Sequence, residues 1–164
     1  MPDTFIKIAS VTVGAGGSAS ISFTSIPATY TDLVVKVSTR NTGGSTGNFA
    51  NYTLNSTTPT GRVLYGNGAS AASDSSQYAH IDTGGGATAS TFANSEIYIP
   101  NYAGSNNKSF SVDGVAENNG TTGFDVLAAG LASTTAAITS VTISPQSGSY
   151  AQYSTAVLYG IKSS

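Results

Sequence analysis

Residues 138–161 alternate in a way that limits the fold more than any other part of the chain. Val141 and Ile143 are set off by Thr142 and Ser144, and Tyr153, Thr155, Val157, Tyr159 and Ile161 share one face of a second run. In extended backbone successive side chains point to opposite sides, so a period of two carried by β-branched and aromatic residues signals a strand. Gln146, Ser147, Gly148 and Ser149 lie between the two runs and carry the turn signal. The segment predicts a long antiparallel hairpin. It names a fold class and no chemistry.

The same grammar recurs along the chain. Ile6 and Ile8 share one phase, while Val11 and Val13 take the other, which predicts a bulge near Ala9 and Ser10. A turn at residues 14–17 and a return strand with Ile21 and Phe23 in phase follow, so a second hairpin is expected. Leu33, Val35 and Val37 oppose Lys36, Ser38 and Arg40 in the clearest central strand. Further strands are expected at 49–54, 62–65, 77–81, 92–99, 108–116 and 124–131, with small-residue loops at 66–76 and 83–90. The expectation is one all-β domain over residues 1–164: an antiparallel β-sandwich of jelly-roll type with eight to ten short strands. Residues 1–8 form an N-terminal arm and residues 42–90 a variable, loop-rich middle.

Charge narrows the partners. Charged residues are 9 % of the chain, against roughly 25 % in an average globular protein. The net charge is −2, and Lys7, Lys36, Arg40, Arg62, Lys108 and Lys162 are scattered singly. Nucleic-acid binding through counterion release has little to work with. There is no cysteine, hence neither a disulfide framework nor a thiolate metal site. No segment has the length and hydrophobicity of a membrane span, and the first residues lack the apolar core of a signal peptide.

Candidate chemistry is thin. His80 is the one histidine, and Asp82 follows two residues later on the same strand face. A hydrolytic triad would need a nucleophile context such as GxSxG, which is missing; a structural His80 is the better reading. The carboxylates Asp3, Asp32, Asp74, Asp82, Asp113, Asp125, Glu96 and Glu117 show no spacing that marks a glycosidase pair. Calcium in a loop spanning 74–82 lacks the D-x-D-x-D-G pattern. Four sequons beginning at Asn51, Asn55, Asn107 and Asn119 are what chance gives in a chain rich in Asn, Ser and Thr. No catalytic residue, metal or cofactor is expected. Tyrosine carries the functional promise, because each ring offers large contact area at low entropic cost. Tyr65, Tyr98 and Tyr102 are the candidate glycan or protein contacts.

Two stretches resemble a known group. One is Val11-Thr-Val-Gly-Ala-Gly-Gly-Ser-Ala-Ser-Ile-Ser-Phe23, continuing through Pro27 and Tyr30 to Val35. The other is Ile97-Tyr-Ile-Pro-Asn-Tyr-Ala-Gly-Ser-Asn-Asn-Lys-Ser-Phe110, running through the closing Ser154-Thr-Ala-Val-Leu-Tyr-Gly-Ile161. Together they resemble small β-rich virion proteins of tailed bacteriophages, especially phages of aquatic bacteria including cyanobacteria. The likeness covers both ends of the chain well and residues 42–90 poorly, and its motifs are turns and strands. It implies a non-enzymatic scaffold used as a capsid decoration or cement protein, or as a module of a tail fibre.

No coiled coil or long repeat is present, so the chain cannot by itself be a fibre shaft, and decoration is favoured. The expected partner is the major capsid protein or another virion protein, with the chain itself a homo-oligomer, trimer or dimer. The expected location is the virion, assembled in the host cytoplasm. Phe5, Ile6 and Ile8 of the arm would anchor it to the capsid. The alternative is the head of a tail fibre that binds a host-surface glycan through the tyrosines.

Overall fold

A computed structural model of the protein describes residues 4–75, 78–120 and 123–162. Among them there are twelve strands and no helix. In chain order they are β1 (Phe5–Thr12), β2 (Ile21–Phe23), β3 (Asp32–Thr39), β4 (Gly47–Leu54), β5 (Thr60–Gly66), β6 (Ala71–Asp74), β7 (Tyr78–Thr83), β8 (Ala93–Ile99), β9 (Lys108–Glu117), β10 (Gly123–Ala132), β11 (Val141–Pro145) and β12 (Thr155–Ile161). An eight-stranded sheet runs β1-β12-β3-β8-β9-β10-β5-β6, and a four-stranded sheet runs β2-β11-β4-β7. All pairings between these strands are antiparallel. The all-β expectation holds, with more strands than the eight to ten expected.

The core lies between the sheets. Leu33, Val35 and Val37 of β3, Ile97 and Ile99 of β8, Val112 of β9, Val126 of β10 and Leu158 of β12 bury their side chains from the larger sheet. Ile21 and Phe23 of β2, Tyr52 and Leu54 of β4, and Val141 and Ile143 of β11 meet them from the smaller one. Burying one such aliphatic side chain contributes roughly 1.5–3 kcal/mol. The two sheets approach closely where β7 crosses β8 and β9. Ser95 Oγ donates to the Ile81 carbonyl at 3.5 Å, and a Cβ placed on Gly114 would lie 2.3 Å from that hydroxyl oxygen. Small residues there are a packing requirement.

Both expected hairpins are corrected. β11 pairs with β2 and β4, whereas β12 pairs with β1 and β3. The turn after Pro145 therefore carries the chain from one sheet to the other. Likewise β1 and β2 lie in different sheets. Two adjacent alternating runs bury more apolar surface by facing each other across the core than by lying side by side. The segment at 66–76 is also corrected, since Ala71–Asp74 pairs with β5 as an edge strand. The strand expected at 77–81 begins outside the described residues and is observed from Tyr78. The expected bulge is found one residue earlier, with the register shift between Lys7 and Ala9.

Candidate functional site

The interior holds a polar cluster. Asp82 is fully buried; its Oδ1 accepts from Thr39 Oγ1 at 2.5 Å and its Oδ2 from Asn41 Nδ2 at 3.2 Å. His80 Nε2 lies 3.3 Å from Asp82 Oδ1, an electrostatic contact rather than an aligned hydrogen bond. Burial raises the Tyr150 phenol, with the Asp82 charge adding to it. The pairing of His80 with Asp82 suggested by their spacing is therefore real. His80 is also 0 % exposed, and no hydroxyl is hydrogen-bonded to it among the described residues. Thr39, Asn41, His80 and Asp82 are all buried, and the hydrogen bonds among Thr39, Asn41 and Asp82 are those of a structural network.

Most other carboxylates have local duties. Asp32 accepts from the Tyr98 hydroxyl and from the Asn101 amide, both at 2.8 Å. Glu117 holds the turn at Asn119 and Thr88. Asp74 Oδ1 accepts from the Ser75 amide at 2.6 Å. No group of three or more His, Cys, Asp or Glu positioned to hold a metal ion exists among the described residues. Part of the 74–82 loop, Thr121 of the fourth sequon, and Asp3 lie outside them.

The expected anchor and contact residues are scattered. Phe5, Ile6 and Ile8 are part of strand β1, paired through Phe5 and Ile6 with Ile161 and Gly160, so from Phe5 onward no free arm exists. Residues 1–3 lie outside the described residues. Phe5 is 53 % exposed and meets Tyr159 edge-on at 6.2 Å, while Ile8 packs on the core. Tyr102 is corrected as a surface contact: it is 0 % exposed and its hydroxyl donates to the Pro27 carbonyl. Tyr65 stacks on Phe124 at 5.8 Å and meets Phe49 edge-on at 5.3 Å, packed against the core. Tyr98 stands on the outer face of the larger sheet, where its bond to Asp32 raises its pKa. The three rings form no common platform.

What sequence reasoning missed is that outer face. Cross-strand register sets Ser10, Val157, Lys36, Glu96, Asp113, Leu127, Leu64 and Ser73 in one row across all eight strands. Leu64 is 61 % exposed and Leu127 60 %, with Leu131 and Val115 exposed beside them. A cavity of about 650 Å³ lies over Leu64 and Leu127, walled by Arg62, Ser73, Ser111 and Ala129. A second, of about 480 Å³, shares Leu127 and is lined by Lys36, Glu96, Asp113 and Asp125. Lys36 pairs with Glu96 at 2.6 Å, which raises the lysine pKa. Neither Asp113 nor Asp125 makes a hydrogen bond or close ion pair among the described residues.

One signal was available. In β10, Val126 and Ala128 face the core while Leu127, Ala129 and Leu131 face out, so this strand is apolar on both sides. Strands of that kind normally have both faces covered. Comparison with protein-family models, with curated proteins and with solved structures finds no match to the chain.

Proposed function

We propose that the protein is a non-enzymatic virion structural protein of a tailed bacteriophage, a capsid decoration or cement protein that docks through the outer face of its larger sheet. The observation that carries the docking half of this reading is the open row of Leu64 and Leu127, with Val115 and Leu131 beside it. Contiguous exposed aliphatic residues on a folded sheet mark interaction surfaces. Covering Leu64 and Leu127 would contribute on the order of 1 kcal/mol each. The virion half rests on the resemblance of the two end segments to phage structural proteins.

All eight strands beneath the face are tied into one ladder, which would hold the docking residues in a fixed register. A jelly-roll sandwich built as a homo-oligomer suits the same role, since closed symmetry would cover the edges at β1 and β6. The glycan-binding alternative is weaker. Sugar recognition favours exposed aromatic platforms, and of the three candidate tyrosines only Tyr98 stands on this face.

Immunogold labelling of intact particles tests the reading. Dense gold over the head is the expected result. Gold confined to the tail tip would transfer the protein to adsorption, and unlabelled particles would remove it from the virion surface.

A further inference from the structure

Resting on the docking reading, we infer that the outer face recognises a protein segment placing an aliphatic side chain and a Lys or Arg side by side. Two adjoining cavities carry the inference. The larger is floored by Leu64 and Leu127, which sit directly opposite each other in the β5–β10 register. The smaller presents three carboxylates, Glu96, Asp113 and Asp125, against the single ammonium of Lys36. Leu127 belongs to both.

Charge complementarity selects the occupant. Glu96 already holds Lys36 at 2.6 Å, Asp113 shares that ammonium only at longer range, and Asp125 makes no ion pair among the described residues, so three carboxylates face one cation. They flank Leu127: Asp113 is its cross-strand partner, and Asp125 lies two residues away on the same strand face. Positions two apart in an extended segment lie about 7 Å from each other on one side. A strand-like segment with an aliphatic residue at one such position and a cation at the next would therefore seat one side chain over the leucines and the other between the aspartates. A second copy of this chain fits less well, because face-to-face packing would bring together two groups in which three carboxylates outnumber one ammonium. An acidic or purely apolar surface would leave Asp113 and Asp125 desolvated and unpaired.

The probe is a capped octapeptide, Leu-Thr-Lys-Thr-Leu-Thr-Lys-Thr, titrated into the full-length protein while backbone amide signals are followed by NMR. A control peptide carries Glu in place of Lys. Saturable shifts confined to β5, β9 and β10 are expected for the lysine peptide, with at least tenfold weaker binding of the glutamate peptide. The double change Asp113→Asn/Asp125→Asn should weaken the lysine peptide about tenfold and flatten its salt dependence, and Leu127→Ser should weaken both peptides. Equal binding of the two peptides, or no shift on these strands at millimolar peptide, would overturn the inference. So would concentration-dependent self-association through the same strands, which would make a second copy the occupant. If gold labelling finds no protein on particles but the lysine peptide binds as described, the virion reading fails and this site stands. If gold covers the head and the peptide does not bind, this inference fails alone.

Discussion

The interior of the sandwich and the outer face of its larger sheet use the same residue types to opposite ends. Inside, Asp82 is surrounded by Thr39, Asn41 and His80, and its oxygens are occupied by hydroxyl and amide donors. Outside, Asp113 and Asp125 stand beside exposed leucines and make no hydrogen bond or close ion pair among the described residues, with Lys36 already held by Glu96. Leu158 is sealed in the core, while Leu127, two strands beyond the middle of the same sheet, is 60 % exposed. A group whose partners lie within the chain serves the fold, and a group of the same kind left open is available to something else. That contrast places the chemistry one would look for first, the histidine with its aspartate, on the structural side. The proposed docking surface carries no motif at all.

The sharpest way to break the contrast is to truncate one leucine on each side. Leu158→Ala should cost about 3 kcal/mol in urea unfolding, from lost transfer energy and the cavity left behind. Leu127→Ala should stay within about 0.5 kcal/mol. A loss above about 2 kcal/mol at Leu127 would mean that the outer face also holds the fold. The carboxylates repeat the test. Asp82→Ala strands the donors of Thr39 and Asn41 and should cost about 2–3 kcal/mol, whereas Asp113→Ala should change stability by less than about 0.5 kcal/mol.

Alkaline pH probes the interior most strongly. Burial raises the phenols of Tyr52 and Tyr150 above their ordinary value. A group with a raised folded-state pKa holds its proton in the folded protein after the unfolded chain has lost it. Stability is therefore complete below about pH 10 and falls above it, by up to about 1.4 kcal/mol per pH unit for each tyrosine. Unfolding midpoints in urea should drop steeply from pH 10 to 11, and Tyr52→Phe should make the drop shallower. The smallest effect belongs to the exposed pair of Lys36 and Glu96. Lys36→Ala should cost no more than about 0.5 kcal/mol, because such pairs are screened and held at an entropic cost.

Legibility followed the range of the interaction. Strands β3, β8 and β9 were readable because alternation is local: Val35 and Val37, Ile97 and Ile99, and Phe110 and Val112 sit two residues apart and face one core. Which strands pair was not readable. Whether the run at Val141 lies beside the run at Val157 or opposite it depends on surfaces far apart in sequence. Strand β6 was invisible, because Ala71–Asp74 has no apolar side to bury. Lys108 was hidden for the opposite reason. It is 1 % exposed, and its ammonium donates to the carbonyls of Gly104, Asn106 and Thr134, partners created only by the fold. The His80–Asp82 pairing followed from strand spacing, but its burial did not. The candidate face was half legible: Leu127 among outward residues was a signal, and the gathering of Asp113, Asp125 and Leu64 around it required the register.

Carboxylate footprinting of the protein free and in its assembled state tests the central claim most directly. A water-soluble carbodiimide with a labelled amine should modify Glu96, Asp113 and Asp125 in the free protein and spare Asp82. In the assembled state all three outer-face carboxylates should be protected. If Asp113 and Asp125 stay fully reactive in the assembly, the outer face is not the docking surface and the account fails.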